Sequence, residues 1–222
     1  MLAKICGLTR LADAKLAESL GADFLGVIMA GGPRHLTEIA ASHVLGARRH
    51  SVRRVVVFGG QSREEIAGIA ERLDLEVIQL HAPANVADIG WLRERIPCAV
   101  WPVLSVDGTT IPDEARVLGA SAGSLLLDAK VVGQLGGTGV TLDWKGLALG
   151  VQALRRDAPA MRIILAGGLN AKNVQEAGRL LSPDVVDVSS GVESAPGIKN
   201  AEFMKTFLLA AHATEPAIND HA

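Results

Sequence analysis

Short runs of apolar, often β-branched residues alternate along the whole chain with longer stretches in which apolar positions recur every three or four residues. The short runs predict eight strands, which end at Cys6, Ile28, Phe58, Leu80, Leu104, Asp128, Leu165 and Val188. The longer stretches predict amphipathic helices over 11–20, 38–49, 63–72, 85–95, 112–118, 143–155, 170–181 and 201–211. This alternation predicts repeated βα units and a parallel sheet.

The number of strands decides between the two common parallel architectures. A doubly wound sheet in a chain of this length would more often have five or six strands, whereas eight strands fit a closed (β/α)₈ TIM barrel, an α/β fold. No linker rich in Pro, Gly or Ser divides the series, so residues 1–212 are predicted to form a single barrel domain. Polar composition and Pro216 predict a flexible tail over 213–222.

Composition and charge exclude several classes of protein. The chain has 222 residues, of which 49% are hydrophobic, so it can bury a full core. A net charge of −2 argues against a nucleic acid or an anionic membrane as partner. Two cysteines suit a reducing compartment, and Lys4 leaves no room for the apolar region of a signal peptide. No apolar run is long enough to span a membrane. We therefore expect a soluble, cytoplasmic protein, and the sequence leaves its oligomeric state open.

Two neighbouring strand ends carry small residues that suit a bound anion. Gly167 and Gly168 follow the seventh strand, and Ser189, Ser190 and Gly191 follow the eighth. Glycine lets the backbone approach a ligand closely, and a helix start leaves N–H groups unpaired. In (β/α)₈ barrels a phosphate commonly binds to the loops after these two strands. The alternative is that both are tight turns without a ligand.

The first and sixth strands end in residues that could move protons. Alternation places Lys4 and Cys6 inside the barrel and Ile5 towards the helices. Cys6 is either a base or nucleophile, or a small buried hydrophobe. Lys4 needs a partner inside the barrel, and Asp187 on the adjacent eighth strand is our hypothesis. Asp128 either caps the next turn or faces the active site as an acid.

The remaining candidates have two readings each. His81 ends the fourth strand as a hydrogen-bonded wall residue or as a catalytic group, and Arg34 is a surface charge or a fork for a carboxylate or phosphate. The long stretch 129–141, which contains Gly137, is a slack loop or a lid over a ligand. Cys98 begins a strand and is expected to be inert at the opposite end of the barrel. No metal-binding pattern is present in the sequence.

Seven motifs, in order over nearly the whole chain, resemble the phosphoribosylanthranilate isomerase family of tryptophan biosynthesis. They are Lys4-Ile5-Cys6-Gly7-Leu8-Thr9, Gly32-Pro33-Arg34, Gln79-Leu80-His81, Leu127-Asp128, Gly136-Gly137-Thr138-Gly139, Leu165-Ala166-Gly167-Gly168-Leu169 and Asp187-Val188-Ser189-Ser190-Gly191-Val192-Glu193.

The resemblance implies an activity and assigns roles to residues. It implies an Amadori rearrangement of the small phosphorylated substrate N-(5-phosphoribosyl)anthranilate, with no cofactor and no metal. Cys6 would be the base and Asp128 the acid, while Arg34 would lie near the anthranilate carboxylate. Gly137, Gly167, Gly168, Ser189, Ser190, Gly191, His81 and Asp187 would contact the substrate.

Some positions depart from the family pattern. Gly32 stands where serine is usual, and Ala82-Pro83 replaces glycine and an acidic residue after His81. The chain has no Tyr and four Phe, so an anthranilate pocket would use aliphatic residues such as Ile28 and Met29. Two other functions remain open: another phosphosugar isomerase barrel, such as that of histidine synthesis, and a non-catalytic barrel that binds phosphometabolites. The former usually has a carboxylate where Cys6 stands.

Overall fold

The computed structural model describes residues 1–46, 51–129 and 143–214. Gly137 and nearly all of the predicted loop over 129–141 lie outside the described residues, as do residues 215–222 of the predicted tail. The first two tail residues are described: Thr214 is buried, and its carbonyl accepts a hydrogen bond from the N-terminal ammonium of Met1 at 3.4 Å.

Eight parallel strands close into a barrel in chain order, with the last strand paired to the first. This confirms the predicted α/β (β/α)₈ fold. The strands are β1 Leu2–Ile5, β2 Phe24–Ile28, β3 Arg53–Phe58, β4 Val77–Leu80, β5 Ala99–Val106, β6 Ser124–Ala129, β7 Arg162–Leu165 and β8 Val185–Val188.

Eight helices follow the strands along the chain. They are α1 Leu11–Ser19, α2 Glu38–Leu45, α3 Arg63–Arg72, α4 Val86–Arg95, α5 Glu114–Ala122, α6 Trp144–Asp157, α7 Val174–Leu181 and α8 Ala201–His212. Side chains cap the starts of two of these helices: the Thr37 side chain accepts from the Ala40 N–H at the start of α2, and Ser62 forms a capping box with Glu65 at the start of α3.

Strand alternation divides the apolar residues into two layers. Ile5, Val186 and Val188 lie in the large cluster between the strands and the helices, as predicted for residues that face outwards. A second cluster fills the lower barrel interior with Phe24, Val55, Val77, Trp101, Val103, Leu126, Ile164, Ala166 and Val185. The charged interior residues Lys4 and Asp187 are directly paired across β1 and β8. The apolar layer therefore supports a polar layer nearer the carboxyl ends of the strands.

The helix boundaries that differ most from the sequence prediction, by four residues each, are those of α7, α5 and α2. Helix α7 begins at Val174 and not after Asn170, because Asn170 and Asn173 instead bind backbone N–H groups of the turn before it. Helix α5 extends to Ala122, beyond the predicted end, and Gly123 terminates it in a left-handed conformation. Helix α2 ends at Leu45 before Gly46, short of the predicted residue 49.

The chain between β8 and α8 contains a small unpredicted unit. A 3₁₀ helix, Ser190–Val192, is followed by an antiparallel hairpin of β9 Glu193–Ala195 and β10 Ile198–Lys199. The hairpin lies next to the mouth of the barrel and contributes two buried charged side chains to it, Glu193 and Lys199.

Candidate active site

The carboxyl ends of the strands surround a cavity of about 780 Å³, counted with its open mouth. A concave site in which a few polar groups converge is typical of small-ligand binding. The cavity is lined by all the described residues to which the resemblance assigns catalysis or a substrate contact: Cys6, Arg34, His81, Asp128, Gly167, Gly168, Asp187, Ser189, Ser190 and Gly191. The convergence expected from strand ends in a parallel barrel is therefore present.

A buried ammonium group lies at the centre of the polar layer. Lys4 is fully buried, and its Nζ contacts Asp187 Oδ2 at 2.9 Å, Gln79 Oε1 at 2.6 Å and Cys6 Sγ at 3.2 Å. This confirms the predicted Lys4–Asp187 ion pair. Burial opposes the charge of Lys4, but Asp187 and Cys6 outweigh it and raise the pKa of Lys4. Lys4 is therefore a permanent cation inside the barrel.

Cys6 is nearly buried, with 5% of its surface exposed, and it faces the cavity. Burial raises the pKa of the Cys6 thiol, and the Asp187 anion raises it further, whereas the ammonium groups of Lys4 and Lys199 lower it. The result is a pKa above the ordinary thiol range. In the empty site at neutral pH, Cys6 therefore carries its proton.

The Arg34 guanidinium is held by a carboxylate from the hairpin. Its Nε and Nη2 donate to the two carboxylate oxygens of Glu193 at 2.9 and 2.7 Å. Lys199 Nζ donates to Glu193 Oε1 at 2.7 Å and to the carbonyl of Ser189 at 3.1 Å. The hydrogen bonds that Arg34 donates to Glu193 raise the pKa of Arg34. Burial acts to raise the pKa of Glu193, but its contacts with Arg34 and Lys199 outweigh burial and lower that pKa. With all three ionised, this cluster has an excess of one positive charge beside the cavity.

The turn after β2 places Arg34 over the mouth. The Leu36 N–H donates to the Ile28 carbonyl at 2.8 Å, which folds the intervening residues back across the strand end. Gly7 has a positive φ of 69°, and a Cβ there would lie 2.6 Å from Arg34 Cδ. Glycine is therefore needed where the Arg34 side chain crosses the end of β1.

The glycine turn after β7 and the loop after β8 are in direct contact. Gly167 and Gly168 have φ values of 90° and 63°, which favour glycine. A Cβ on Gly191 would lie 1.9 Å from the carbonyl oxygen of Leu169, so the two loops can approach this closely only with glycine there. Within the described part of the chain, the N–H groups of Gly167 and Gly168 donate to no acceptor. The two turns thus form one surface with donors available to a ligand.

Two buried side-chain oxygens at the cavity have no hydrogen-bond partner among the described residues. They are Asp187 Oδ1 and Ser189 Oγ. Burying such oxygens without a partner costs free energy, so a site that keeps them is suited to a polar ligand.

Asp128 and His81 complete the wall of the cavity. Asp128 is the penultimate residue of the apolar strand β6, one residue before its observed end at Ala129, and it is half-buried at the rim. Burial lowers the pKa of His81, and the Lys4 ammonium lowers it further, so His81 is a neutral imidazole at neutral pH. Its side chain lines the cavity, as both interpretations of His81 require: a wall residue or a catalytic group.

Three parts of the arrangement differ from the sequence expectation or were absent from it. Met29 is packed in the cluster beneath the helices and not in the cavity, because alternation along β2 turns Ile28 inwards and Met29 outwards. Glu193 was only the last residue of a motif and was given no role, and Lys199 was not selected, because nothing in the sequence predicts the short hairpin that carries them. Gln79 appeared only as part of a motif. Its inward direction could have been predicted, because Gln79 lies two residues before His81 and alternation turns both side chains to the same face of the strand.

Cys98 lies immediately before β5, where its Sγ donates to the Leu75 carbonyl at 2.9 Å, far along the strands from the cavity mouth. This agrees with its predicted place at the other end of the barrel. Among the described residues, no group of three or more His, Cys, Asp or Glu side chains could hold a metal ion. None of the described helices is long and apolar enough to cross a membrane.

The family model of N-(5'-phosphoribosyl)anthranilate (PRA) isomerase matches residues 3–210. The chain belongs to the PRA isomerase family. The N-(5'-phosphoribosyl)anthranilate isomerase of Nitrobacter winogradskyi is 36% identical over 225 residues, which cover 99% of this chain and 96% of that protein.

Solved structures of PRA isomerases have the same architecture. The crystal structure of the Thermotoga maritima enzyme is 31% identical, with a TM-score of 0.83 over 96% of this chain and 99% of that one. A phosphoribosyl anthranilate isomerase in complex with reduced 1-(o-carboxyphenylamino)-1-deoxyribulose 5-phosphate is 28% identical, with a TM-score of 0.81 over 96% and 98% of the two chains.

Proposed function

We propose that the chain catalyses the Amadori rearrangement of N-(5-phosphoribosyl)anthranilate to 1-(2-carboxyphenylamino)-1-deoxyribulose 5-phosphate in the cytoplasm, as a step of tryptophan biosynthesis. This is an intramolecular oxidoreduction of the aldose–ketose type. The observation that carries the proposal is one cavity lined by a thiol from β1, a carboxyl from β6 and the paired turns after β7 and β8.

Asp128 is the proposed acid of the first step. It donates a proton to the ring oxygen of the ribose, the bond between C1 and that oxygen breaks, and the nitrogen lone pair forms a C1=N iminium ion. Its place at the rim of the cavity, at the end of β6, supports this role. A positioned acid of this kind is typically worth about 10²–10⁴-fold in rate.

Cys6 is the proposed base of the second step. Its thiolate removes the proton from C2, and the electrons of that bond form the C1=C2 double bond while the C=N electrons return to nitrogen. The resulting enol becomes the C2 ketone when C1 takes up a proton and the C2 hydroxyl gives one up. These two transfers restore the Cys6 thiolate and the Asp128 acid, so no proton is gained or lost overall. C1 is thereby reduced and C2 oxidised within the substrate, so the rearrangement needs no cofactor.

The phosphate is proposed to bind at the paired turns. The N–H groups of Gly167 and Gly168 provide donors, and Ser189, Ser190 and Gly191 complete the site. Ser189 Oγ, which is buried without a partner among the described residues, is a further donor.

The anthranilate carboxylate is proposed to bind near Arg34. Glu193 occupies Nε and Nη2 of the guanidinium, and the other edge is left for a second carboxylate. Asp187 Oδ1 is proposed to accept a hydrogen bond from a substrate hydroxyl, and His81 is proposed to line the wall beside the substrate. Gly137, in the loop after β6, remains a proposed substrate contact.

Growth without tryptophan tests the activity directly. A strain that lacks its own PRA isomerase should grow on tryptophan-free medium when it expresses this chain, and the Cys6→Ser variant should not support growth. Soluble expression of both proteins is checked by blotting. A wild-type chain that is folded and expressed but never restores growth would favour a non-catalytic phosphometabolite-binding barrel.

A further inference from the structure

The contact between Lys4 and Cys6 is one that the proposed mechanism has not used. Lys4 is fully buried and does not line the cavity, so a bound substrate would not touch it. Its ammonium group has three hydrogens, and three acceptors surround Nζ: Asp187 Oδ2, Gln79 Oε1 and Cys6 Sγ. Of these acceptors, Cys6 is the one that must gain negative charge when it serves as a base.

Stability alone is a poor reason for this arrangement. A buried ion pair costs desolvation that its Coulomb attraction often only offsets, and apolar residues of similar volume are frequently at least as stabilising. The barrel has such an apolar layer one level lower, around Phe24 and Trp101. Lys4 instead lies in the polar layer above it, where its ammonium contacts Cys6.

Strand β2 leaves room for this contact. Gly26 faces the barrel interior, and a Cβ there would lie 2.7 Å from Lys4 Cε and 3.2 Å from Cys6 Sγ. Any larger residue would push the two groups from their present positions. Glycine at position 26 therefore leaves the space in which the Lys4 ammonium contacts the Cys6 sulfur.

We propose that Lys4 is a positioning residue for Cys6: its clamped ammonium donates a hydrogen bond to Sγ and stabilises the thiolate that removes the C2 proton. Asp187 and Gln79 hold the ammonium in place by accepting its other two hydrogens. This inference rests on the proposed function, because it assumes that Cys6 is the base.

The charges that face Cys6 come from four elements. Lys4 on β1 and Lys199 on β10 favour the thiolate, Asp187 on β8 opposes it, and Arg34 in the turn after β2 interacts with it favourably. Among the described residues, Lys4 is the only one of these groups that donates a hydrogen bond to the sulfur. Removal of Lys4 should therefore have a larger effect on Cys6 than removal of a more distant charge.

The test measures the ionisation of Cys6 without relying on turnover. The full-length protein is alkylated with iodoacetamide over a range of pH, and mass spectrometry of the peptide that contains Cys6 gives the rate at that residue. Only the thiolate reacts, so the midpoint of the rate against pH is the Cys6 pKa. In Lys4→Met we expect this midpoint to rise by about one pH unit or more, as for the loss of an opposite charge within hydrogen-bond distance.

A double variant separates Lys4 from its partner. Lys4→Met leaves the Asp187 anion uncompensated, which could by itself raise the Cys6 pKa. In Lys4→Met/Asp187→Asn both charges are absent. If Lys4 acts on the sulfur directly, the midpoint of the double variant stays above that of the wild type; a return to the wild-type midpoint would overturn the proposal.

Two further variants guard against a purely structural effect. Arg54→Met removes another buried strand cation, paired with Asp74 and Glu76 away from Cys6, and should destabilise the fold without moving the Cys6 midpoint. Gly26→Ala keeps the Lys4 charge but displaces it, and should raise the midpoint even if Lys4→Met fails to fold. An unchanged midpoint in Gly26→Ala, with wild-type circular dichroism, would contradict the proposal.

Turnover then distinguishes failure of this inference from failure of the proposed function. The kcat/KM of Lys4→Met for the anthranilate substrate should fall by the same factor as the Cys6 ionisation constant, about tenfold per pH unit. An unchanged alkylation midpoint in an otherwise active enzyme would reject the role of Lys4 alone. Full activity of Cys6→Ser would reject the base itself, whatever the midpoint.

Discussion

At the scale of single residues, the proposed mechanism requires Cys6 and Asp128 to share one proton. The active form has a thiolate and a carboxylic acid, whereas the form with one proton ordinarily has it on the thiol, because carboxylic acids ionise well below thiols. The pH profile of kcat/KM should therefore be bell-shaped. Since burial raises the Cys6 pKa, the alkaline limb should lie above the ordinary thiol range.

The Asp128→Asn variant should reverse this alkaline behaviour. Without a transferable proton at 128, the residual activity needs only the thiolate and should rise with pH over the range in which the wild type falls. The comparison is made by measuring kcat/KM of both proteins across pH, with circular dichroism to exclude alkaline unfolding. Parallel falls in the two profiles would show that the limb does not report Cys6.

Strand alternation is the rule by which the inward-facing charged residues could be predicted from the sequence. Alternation turns Lys4 inwards, and a charge inside the barrel needs a partner. Because β8 neighbours β1, Asp187 could be predicted as that partner. Glu193 and Lys199 could not be predicted in this way. They lie on a hairpin whose two strands, of three and two residues, are too short to show a periodic pattern. Arg34 was selected, but its carboxylate partner was not.

At the scale of elements, the contact between the loops after β7 and β8 should control phosphate affinity. In Gly191→Ala the new Cβ would meet the Leu169 carbonyl at 1.9 Å, so one loop must move. Loss of one charge-assisted hydrogen bond costs about 1.5–3 kcal/mol, which weakens product binding about tenfold or more. Isothermal titration with the product measures this change.

Gly90→Ala is the matched control for that variant. Gly90 lies in α4, and a Cβ there has no atom within 4 Å, so product affinity should stay at the wild-type value. Wild-type affinity in Gly191→Ala as well would place the phosphate elsewhere in the cavity.

Hydrophobic periodicity was sufficient to predict the barrel strands and the helices, but it did not predict where some of the helices begin and end. Asn170 has the character of a helix cap, yet its side chain closes a turn on the Lys172 N–H and the helix starts at Val174. A capping residue and an Asx turn have the same sequence signal, since both use a short polar side chain that accepts from a nearby N–H. Only the tertiary position of the glycine turn decides between them.

At the scale of the whole molecule, strand count and order were sufficient to predict the barrel. Eight apolar runs separated by helices close into a sheet in chain order, which brings all strand ends to one mouth and unites residues as distant as Cys6 and Gly191. The cavity therefore follows from the topology, whereas its charge distribution depends on side-chain packing that periodicity does not specify.

One thiol and one carboxyl at this mouth, Cys6 and Asp128, are proposed to perform the rearrangement as a unit. The most direct test of this proposal is kcat/KM of the purified wild type, Cys6→Ser, Asp128→Asn and the double variant with N-(5-phosphoribosyl)anthranilate. Each single change should lower kcat/KM by about 10²-fold or more while product still binds, and the double variant should be little worse than the poorer single variant. Near-wild-type kcat/KM in either single variant would contradict the account.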